Sequence, residues 1–396
     1  MKRTKVKKLF KLTSFAMIAL GVFTVKCDER VMASTTVYEK ENNNTKNIAN
    51  EVSGNVTMVG SITEGDVDYY KYTVLNNGYV KFTARTYDDI LNNSYYITIY
   101  DGNFKEITSD FFNENNWVSK RLNFKKGTVM YVRIQGYSSY YDYSQDGHYC
   151  ITAETKSTSN WEVEDNNTKP KATKLSKKVT GTIYNEKDVD FYKYTAPKNG
   201  YVKFKFCNVD GVTDTSGWNV CVYDSNFNDI SSQYSFSNDY LFGTFMVKKG
   251  TVYYLKVSMA GIGIMDHEYT ITPVLKVTNY IEKENNNSFG KATTISQGKY
   301  RIGALNREAD RDYYKFKASK TGTLKINLKI EERMSHGYEM IVYNSNRQEI
   351  RSINDVRSGG VLKVKVKKGK SYYVKIQNNG IVGSSWNYLY TLKLSK

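Results

Sequence analysis

Oxygen-bearing side chains recur in the same order three times along this chain of 396 residues. Each copy opens with two glutamates two positions apart and an Asn pair, and an Asp-x-Asp run follows about twenty residues later. Residues two apart in an extended chain face the same side, so each opening directs two carboxylates toward one point. Oxygen donors without accompanying His or Cys are typical of calcium sites. The candidate ligands are Glu39, Glu41, Asn43, Asn44, Asp66 and Asp68; Glu162, Glu164, Asn166, Asn167, Asp188 and Asp190; and Glu282, Glu284, Asn286, Asn287, Asp310 and Asp312.

Calcium takes about six to eight oxygen ligands, more than either run offers alone. The two runs of one copy together supply enough, which predicts that the fold brings them into contact. The alternative is that loops rich in Glu, Asn and Asp are simply soluble turns. Three copies at matched positions favour the metal site.

The repeat has the length of a domain. Asp68, Asp190 and Asp312 are separated by 190 − 68 = 122 and 312 − 190 = 122 residues. A fixed period of this size indicates tandem copies of a self-contained unit. We expect domains at residues 38–155, 161–275 and 280–396, joined by polar linkers at 156–160 and 276–279.

The elements that must position these side chains are strands. Residues 79–82, 201–206 and 323–326 alternate apolar residues with lysines, and each run follows a glycine. No stretch keeps a 3.6-residue period, whereas the chain has 35 Tyr and only 3 Pro. The pattern predicts an all-β protein made of three tandem β-sandwich domains, jelly-roll-like, with about seven or eight strands each.

The N-terminus predicts export. Basic residues before an apolar run, with Val31 and Ala33 near its end, are typical of a signal peptide at residues 1–33. This segment holds eight Lys/Arg and two Asp/Glu, so the formal charge of +17 falls to 49 − 38 = +11 without it. No later stretch is apolar enough to span a membrane. We expect a secreted protein, free or held at the cell surface.

The positive charge favours anionic partners such as cell-wall polymers or acidic glycans. The alternative is a solvated basic surface without a partner. Nucleic acid is the weakest option because no nucleic-acid motif accompanies the charge. Cys207 and Cys221 lie on the outward faces of two predicted strands of the second copy, and we predict that an export compartment permits a disulfide between them. No Cys/His or Ser/His/Asp arrangement recurs in the copies, so no catalytic site is expected.

Several motifs resemble one bacterial family. Glu-Lys-Glu-Asn-Asn-Asn-Thr from Glu39, Gly-Ser-Ile at residues 60–62, Asp-Tyr-Tyr-Lys-Tyr from Asp68 and Asn-Gly-Tyr-Val at 77–80 are similar to the pre-peptidase C-terminal domain. Its best-known members are the collagen-binding domains of clostridial collagenases. The resemblance covers the chain beyond the leader in three copies. It implies a jelly-roll sandwich whose N-terminal linker folds back and is clamped by calcium, with Ser61 and Thr182 added to the ligands.

The sequence departs from that family at several ligand positions. Asn44, Asn167 and Asn287 stand where calcium-binding members often have Asp, and Ala304 replaces the Ser or Thr of the other copies. A further acid is absent, although Asp66, Asp188 and Asp310 lie one residue later and offer a substitute. The expectation is weaker calcium binding, or binding in only some copies.

Each copy also has an outward tyrosine beside a basic residue on one strand. These pairs form a candidate ligand strip, because aromatic faces stack on sugars or prolyl rings; the alternative is that tyrosine is a good exposed strand former. We expect a non-catalytic binding or adhesion protein for an extracellular polymer, with collagen a named candidate. The alternatives are an accessory of a secreted protease system and a structural cell-surface spacer. The strip residues are Tyr131, Arg133, Tyr254, Lys256, Tyr373 and Lys375.

Overall fold

A computed structural model describes most of the chain beyond its leader. The described residues are 35–86, 94–112, 117–119, 121–136, 147–184, 187–209, 217–235, 239–260, 267–305, 309–331, 337–379 and 389–395. The predicted signal peptide at 1–33 lies outside them. Nearly all regular structure within these ranges is strand, which confirms the all-β prediction. None of these residues belongs to a helix with the length and hydropathy that a membrane crossing needs.

The strands form three sandwiches, each with two sheets. In the first, the back sheet has the order β1-β3-β11-β5-β8, with β9 also paired to β5, and the front sheet has the order β2-β4-β10-β6-β7. The back-sheet strands are β1 (Thr35–Tyr38), β3 (Val56–Ile62), β5 (Gly78–Thr86), β8 (Trp117–Val118), β9 (Leu122–Phe124) and β11 (Gly147–Ser157). The front-sheet strands are β2 (Asn50–Ser53), β4 (Val67–Thr73), β6 (Tyr95–Tyr100), β7 (Glu106–Phe112) and β10 (Val129–Gly136).

The second sandwich repeats this plan. Its front sheet runs β12-β14-β19-β16-β17 and its back sheet β13-β20-β15-β18. The front strands are β12 (Thr173–Lys174), β14 (Asp190–Thr195), β16 (Gly217–Tyr223), β17 (Asp229–Ser235) and β19 (Val252–Ala260). The back strands are β13 (Val179–Ile183), β15 (Gly200–Asn208), β18 (Asp239–Val247) and β20 (His267–Val277).

The third sandwich has the same order again, β21-β23-β28-β25-β26 in front and β22-β29-β24-β27 behind. The front strands are β21 (Thr293–Thr294), β23 (Arg311–Lys317), β25 (Tyr338–Tyr343), β26 (Glu349–Val356) and β28 (Ser371–Asn378). The back strands are β22 (Tyr300–Ala304), β24 (Gly322–Ile330), β27 (Gly359–Val366) and β29 (Leu389–Ser395). A single 3-10 turn lies near the start of each sandwich, at Lys46–Ile48, Lys169–Lys171 and Phe289–Lys291.

Strand alternation explains the cores. Along β10, Met130, Val132 and Ile134 are fully buried between the sheets, whereas Tyr131 and Arg133 face outward. The same alternation buries one face of every central strand and leaves the lysines outside. Each sandwich therefore has its own apolar core, and two-sheet packing fixes which loops meet at its ends.

Two strands are longer than the sequence predicted. The segments 156–160 and 276–279 were expected to be linkers, but β11 continues to Ser157 and β20 to Val277. Lys156 pairs with Tyr79 and Lys276 with Tyr201, so each segment begins inside a back sheet. Ser- and Thr-rich composition predicted loops here because it does not reveal where the partner strand ends.

The predicted disulfide is wrong. No disulfide joins Cys207 and Cys221. Phe206 and Val220, their neighbours, point into the core, so both cysteines face away from it on opposite sheets. Sheets of a sandwich lie about 10 Å apart, beyond the reach of a disulfide. Alternation correctly predicted an outward face for each cysteine but not the sheet.

Candidate metal centres

The two acidic runs of each copy meet at one end of its sandwich. After β1, the chain crosses from the back sheet to the front sheet: the Glu39 amide donates to the Val59 carbonyl at 2.9 Å, and the Asn43 carbonyl accepts from the Tyr69 amide at 3.1 Å. Asn166 and Asn286 accept in the same way from Phe191 and Tyr313. The opening run is therefore hydrogen-bonded to both sheets, and its carboxylates lie near the start of β4, β14 or β23.

Three carboxylates converge in each copy. In every group, one oxygen from each residue lies within 4.8 Å of the others, a spacing that could hold a metal ion. Each group thus combines two glutamates of the opening run with the second aspartate of the Asp-x-Asp run. The groups are Glu39, Glu41 and Asp68; Glu162, Glu164 and Asp190; and Glu282, Glu284 and Asp312.

The first glutamate of each group is oriented by the backbone. Oε1 of Glu39 accepts from the Ser61 amide at 2.7 Å and from its hydroxyl at 3.0 Å. The amides of Thr182 and Ala304 hold Glu162 and Glu282 in the same way. This position therefore needs a backbone N–H and not a hydroxyl, which explains how Ala304 is accommodated. The Thr182 hydroxyl points elsewhere and donates to the Arg121 carbonyl at 3.2 Å.

Buried oxygens without hydrogen-bond partners mark the centre of each group. Oδ1 of Asn43 and Oδ1 of Asp68 are buried without a partner, and Asn166, Asp190, Asn286 and Asp312 repeat this. A buried polar atom left unpaired costs about 1–3 kcal/mol, so such atoms rarely persist without a reason. A cation at that point would satisfy them, and the oxygen-only donor set fits a hard divalent ion.

The electrostatics also favour a cation. Burial, followed by the charge of Glu39, raises the pKa of Asp68 from 3.8 to about 9. Burial raises the pKa of Glu162 and Glu282 to about 7 and that of Asp188 to about 8. Burial also raises the pKa of Asp190 well above its ordinary value. Without a cation, these carboxyls keep protons near neutral pH because they cannot all ionise together.

The remaining predicted ligands lie beside these groups, at an open pocket in the first copy and buried for the aspartates of the other two. Asp66 and Asn44 line an open pocket beside Glu39 and Glu41. Asp188 is buried, its Oδ2 accepts from the Tyr184 amide at 3.1 Å, and its Oδ1 has no hydrogen-bond partner. Asp310 is 4% exposed and its Oδ1 accepts from the Arg311 amide.

In the second and third copies, the side chain of the last Asn of the opening run, Asn167 or Asn287, contacts the Asp-x-Asp loop. Oδ1 of Asn167 accepts from the Val189 amide at 3.2 Å. The Asn287 side chain lies beside Asp310 and Arg311. At these positions the side chain acts on the loop backbone.

A pair of tyrosines behind each centre was missed by the sequence reasoning. The Tyr149 hydroxyl donates to Oδ2 of Asp68 at 2.6 Å and contacts the Tyr70 hydroxyl at 2.9 Å. Tyr269 with Tyr192, and Tyr390 with Tyr314, repeat the arrangement against Asp190 and Asp312. Their recurrence at matched positions was visible in the sequence, where 192 − 70 and 314 − 192 both equal 122.

A glycine makes room for each tyrosine pair. A Cβ at Gly181 would overlap the hydroxyls of Tyr192 and Tyr269, and Gly60 and Gly303 are equally enclosed. These glycines immediately precede the amides that hold the first glutamates. Because glycine has no side chain, the tyrosine hydroxyls can pack against this backbone. The backbone amide and the hydroxyls thus hold the carboxylates of each centre from one side.

The predicted ligand strip lies on the front sheets. Tyr131 is directly opposite Tyr100, and Arg133 is opposite Tyr69, all facing outward and half-buried. Phe104, at a turn with φ of 64°, stacks on Tyr100 with ring centroids 4.3 Å apart. The second sandwich repeats this stack with Phe227 on Tyr223 at 4.2 Å, beside Tyr254.

A cation accompanies each aromatic cluster. Nζ of Lys46 lies 4.6 Å from the Phe104 ring centre, and Nζ of Lys169 lies 4.8 Å from that of Tyr254. In the first two sandwiches the lysine lies in the 3-10 turn and the phenylalanine at the turn with positive φ. The third sandwich has the reverse: Phe289 lies in the 3-10 turn and Arg347 at the turn with positive φ, with the guanidinium 5.3 Å from the ring centre. Phe289 contacts Tyr313, Tyr343 and Tyr373. Lys256 and Lys375, the basic residues predicted for the second and third strips, are half-buried and face outward.

Comparison with known proteins gives one sequence relative and several structural neighbours. Collagenase ColT of Clostridium tetani is 28% identical over 176 residues, which is 42% of this chain and 18% of ColT. The chain therefore spans less than a fifth of that relative. No family model matches the chain. The sequence match to a collagenase agrees with the family resemblance. That each of the three sandwiches is a copy of that family's domain stays a prediction.

Two solved structures are similar to parts of this chain. The pre-peptidase C-terminal domain of a collagenase from Bacillus anthracis is 18% identical with a TM-score of 0.22, covering 26% of this chain and 92% of that domain. The tandem CBM51 modules of a family 98 glycoside hydrolase from Streptococcus pneumoniae are 9% identical with a TM-score of 0.18, covering 54% and 83%.

Proposed function

We propose that this is an exported, non-catalytic binding protein whose three sandwiches, at residues 38–155, 161–275 and 280–396, are calcium-stabilised modules for an extracellular polymer. The observation that carries this proposal is the half-exposed pair of tyrosines with an adjoining cation on all three front sheets. A surface that merely tolerates tyrosine does not need an additional aromatic ring and a cation against its tyrosines in every copy. The sequence similarity to a collagenase makes collagen the first polymer to test.

Calcium has a structural role in this proposal. The ligands would be the three convergent carboxylates of each copy together with the buried Asn and Asp oxygens beside them. An ion there would neutralise the mutual repulsion of the carboxylates and hold the opening run against both sheets. Because an ion that binds only the folded state stabilises it, the modules would be most stable in calcium-rich extracellular fluid.

Three modules on one chain would act together. A single aromatic strip makes a small, weak contact, but attachment of one module raises the local concentration of the polymer for the next. The net positive charge adds a salt-dependent attraction to acidic polymers such as cell-wall components. Stacking and charge therefore predict different dependence of binding on salt.

The test is co-sedimentation of the mature protein with insoluble collagen, peptidoglycan and an acidic glycan at low and high salt. Tyr131→Ala, Tyr254→Ala and Tyr373→Ala combined should abolish binding while calcium-dependent stability remains. Tyr38 and Tyr300 are exposed on back sheets, so Tyr38→Ala with Tyr300→Ala is the matched control. If the folded wild-type chain binds none of the polymers, or the front-sheet variant binds as well as the control, the binding role is refuted and the spacer role remains.

A further inference from the structure

The three candidate metal centres differ in what encloses them. In the first, Glu41 is exposed and the surrounding pocket is open. In the second, all four acids are buried, with 6% exposure at most. In the third, Glu284 remains half-buried. The local chain is nearly the same in each copy, so the difference comes from what lies next to it. The four acids of the second centre are Glu162, Glu164, Asp188 and Asp190.

A segment of the first sandwich closes the second centre. The Glu164 amide donates to the Asn123 carbonyl at 3.2 Å, and Glu164 forms a parallel bridge with Phe124. The Thr182 hydroxyl donates to the carbonyl of Arg121. Residues 121–124, here called the junction segment, therefore contact the opening run of the second copy through the backbone of Glu164, one of the three residues whose carboxylates converge.

Side chains strengthen this junction. Arg121 makes a two-pronged ion pair with Glu268, with Nε to Oε1 at 2.8 Å and Nη2 to Oε2 at 2.5 Å. Glu268 is almost fully buried and lies directly opposite Thr182 in the back sheet of the second sandwich. The guanidinium also lies 5.2 Å from the Trp161 ring centre and 5.7 Å from that of Tyr79. Paired geometry of this kind is stronger and more specific than a single exposed ion pair.

The core of the first sandwich extends across the junction. Tyr184, from the second copy, is 9% exposed and belongs to the apolar cluster of the first sandwich. Its amide donates to Asp188 of the second centre. One residue thus joins the core of one sandwich to a carboxylate of the next.

The next junction is built differently. Counting back from Gly127 and Gly250, Thr244 and Met246 stand at the positions of Arg121 and Asn123. Met246 packs in a small apolar cluster with Ala304 and Leu389. Of the two junctions in the described part of the chain, the first is therefore the polar one, and it is hydrogen-bonded to the backbone of a residue that supplies a converging carboxylate.

We propose that the second centre is a junction site: a divalent cation there is enclosed by both sandwiches, enters or leaves only when the junction segment opens, and while bound holds the first two sandwiches in one orientation. This rests on the proposed metal centres. Because Glu164 is held by both the ion and the Asn123 carbonyl, closing the junction favours the ion and the ion favours closure to the same extent. Opening is a local unfolding event and limits the release rate.

The test measures terbium release from full mature chains that keep one centre each. Asp68→Asn with Asp312→Asn leaves the second centre, and Asp190→Asn with Asp312→Asn leaves the first. Terbium(III), a luminescent substitute for calcium, is loaded and then chased with EDTA. We expect release from the second centre to be slower by about tenfold or more, equivalent to about 1.4 kcal/mol in the barrier. Arg121→Ala and Glu268→Gln should each remove most of that difference without changing the first centre.

The control is Arg357→Ala, which removes an exposed Arg–Asp355 pair at 2.7 Å in the third sandwich. It should leave both rates unchanged. Equal release from the two centres, or slow release that Arg121→Ala does not accelerate, overturns the junction site. Loss of terbium binding at the second centre of Arg121→Ala, with the first centre intact in the matching chain, supports it. Failure of either single-centre chain to bind terbium at all instead refutes the metal centres of the proposed function.

Discussion

Replacing Asp68 with asparagine should make the metal-free protein more stable and the calcium-loaded protein less so. Asp68→Asn preserves shape, and the amide oxygen can still accept from Tyr149, as Oδ2 of Asp68 does at 2.6 Å. The NH2 group then takes the place of Oδ1, which is buried without a hydrogen-bond partner. An NH2 group cannot ligate a cation, so the change removes one ligand and one negative charge.

The magnitude follows from the pKa of Asp68. With its pKa raised from 3.8 to about 9, the folded metal-free chain holds a proton at pH 7 that the unfolded chain has released. Retaining that proton costs about 4 kcal/mol at pH 7, at 1.36 kcal/mol per pKa unit, and the asparagine variant avoids this cost. Conversely, free calcium at about a hundred times its dissociation constant adds about 3 kcal/mol to wild type. The variant should lose that gain in the first sandwich.

Hydrogen exchange of amides in β10, with EDTA and with calcium, reports the stability of the first sandwich within the intact chain. Glu51→Gln is the matched control, because Glu51 is an exposed acid of the same sandwich, paired with Lys71 at 2.9 Å. Its effect on the stability of the first sandwich should be negligible in both conditions, because an exposed surface ion pair contributes little. If Asp68→Asn is less stable than wild type in EDTA, Asp68 is an ordinary ionised carboxylate. If calcium protects the variant as it protects wild type, Asp68 is not a ligand.

Three further predictions concern the second centre. The metal-free chain should lose stability as pH rises from about 4 to 8, because folded Glu162, with a pKa of about 7, and Asp188, with a pKa of about 8, hold protons that the unfolded chain releases. Calcium binding at pH 6.5 should therefore release protons, measurable by calorimetry in buffers of different ionisation enthalpy; identical heats in all buffers would contradict this. Tyr269→Phe removes the hydroxyl that donates to Asp190 and should weaken terbium binding about tenfold or more, because supporting hydrogen bonds orient the ligands of a metal. An unchanged terbium titration would contradict this. Gly181→Ala forces a Cβ into the tyrosine pair and should lower the unfolding midpoint with and without calcium, whereas Gly290→Ala, with open space around it, should not.

The fold class was predictable because the two-residue alternation of side chains along a strand appears directly as alternating apolar and polar residues in the sequence. Alternation in segments such as residues 201–206 identified both the strand and its buried face. The ends of β11 and β20 were not predictable, because a strand continues as long as a partner is beside it. The partner sheet of Cys221 was hidden for the same reason, since alternation describes one strand and not its place in the sandwich.

The candidate site was predictable where one strand or loop carries the chemistry. The spacing of Glu39 and Glu41, and their recurrence, indicated the convergent carboxylates. Composition could not say that the Thr182 hydroxyl bonds to the preceding sandwich, or that the Asn167 amide braces a loop. Side chains with several hydrogen-bonding options are decided by tertiary neighbours. The tyrosine pairs beside the aspartates recur at matched positions in the sequence. Nothing in the sequence alone distinguishes them from other tyrosines on strands.

The exchange of ring and cation in the third front sheet has a consequence for how the copies diverged. Lys169 and Phe227 in the second copy correspond to Phe289 and Arg347 in the third, so the contact persists although both of its residues have changed type. Of the two single-substitution intermediates, one would place two cations together and the other two rings. Only the ring–ring intermediate keeps the contact attractive. The ring–cation contact is therefore retained as a pair. A position-by-position alignment of the copies would show two changed residues, although the surface keeps one ring and one cation in contact.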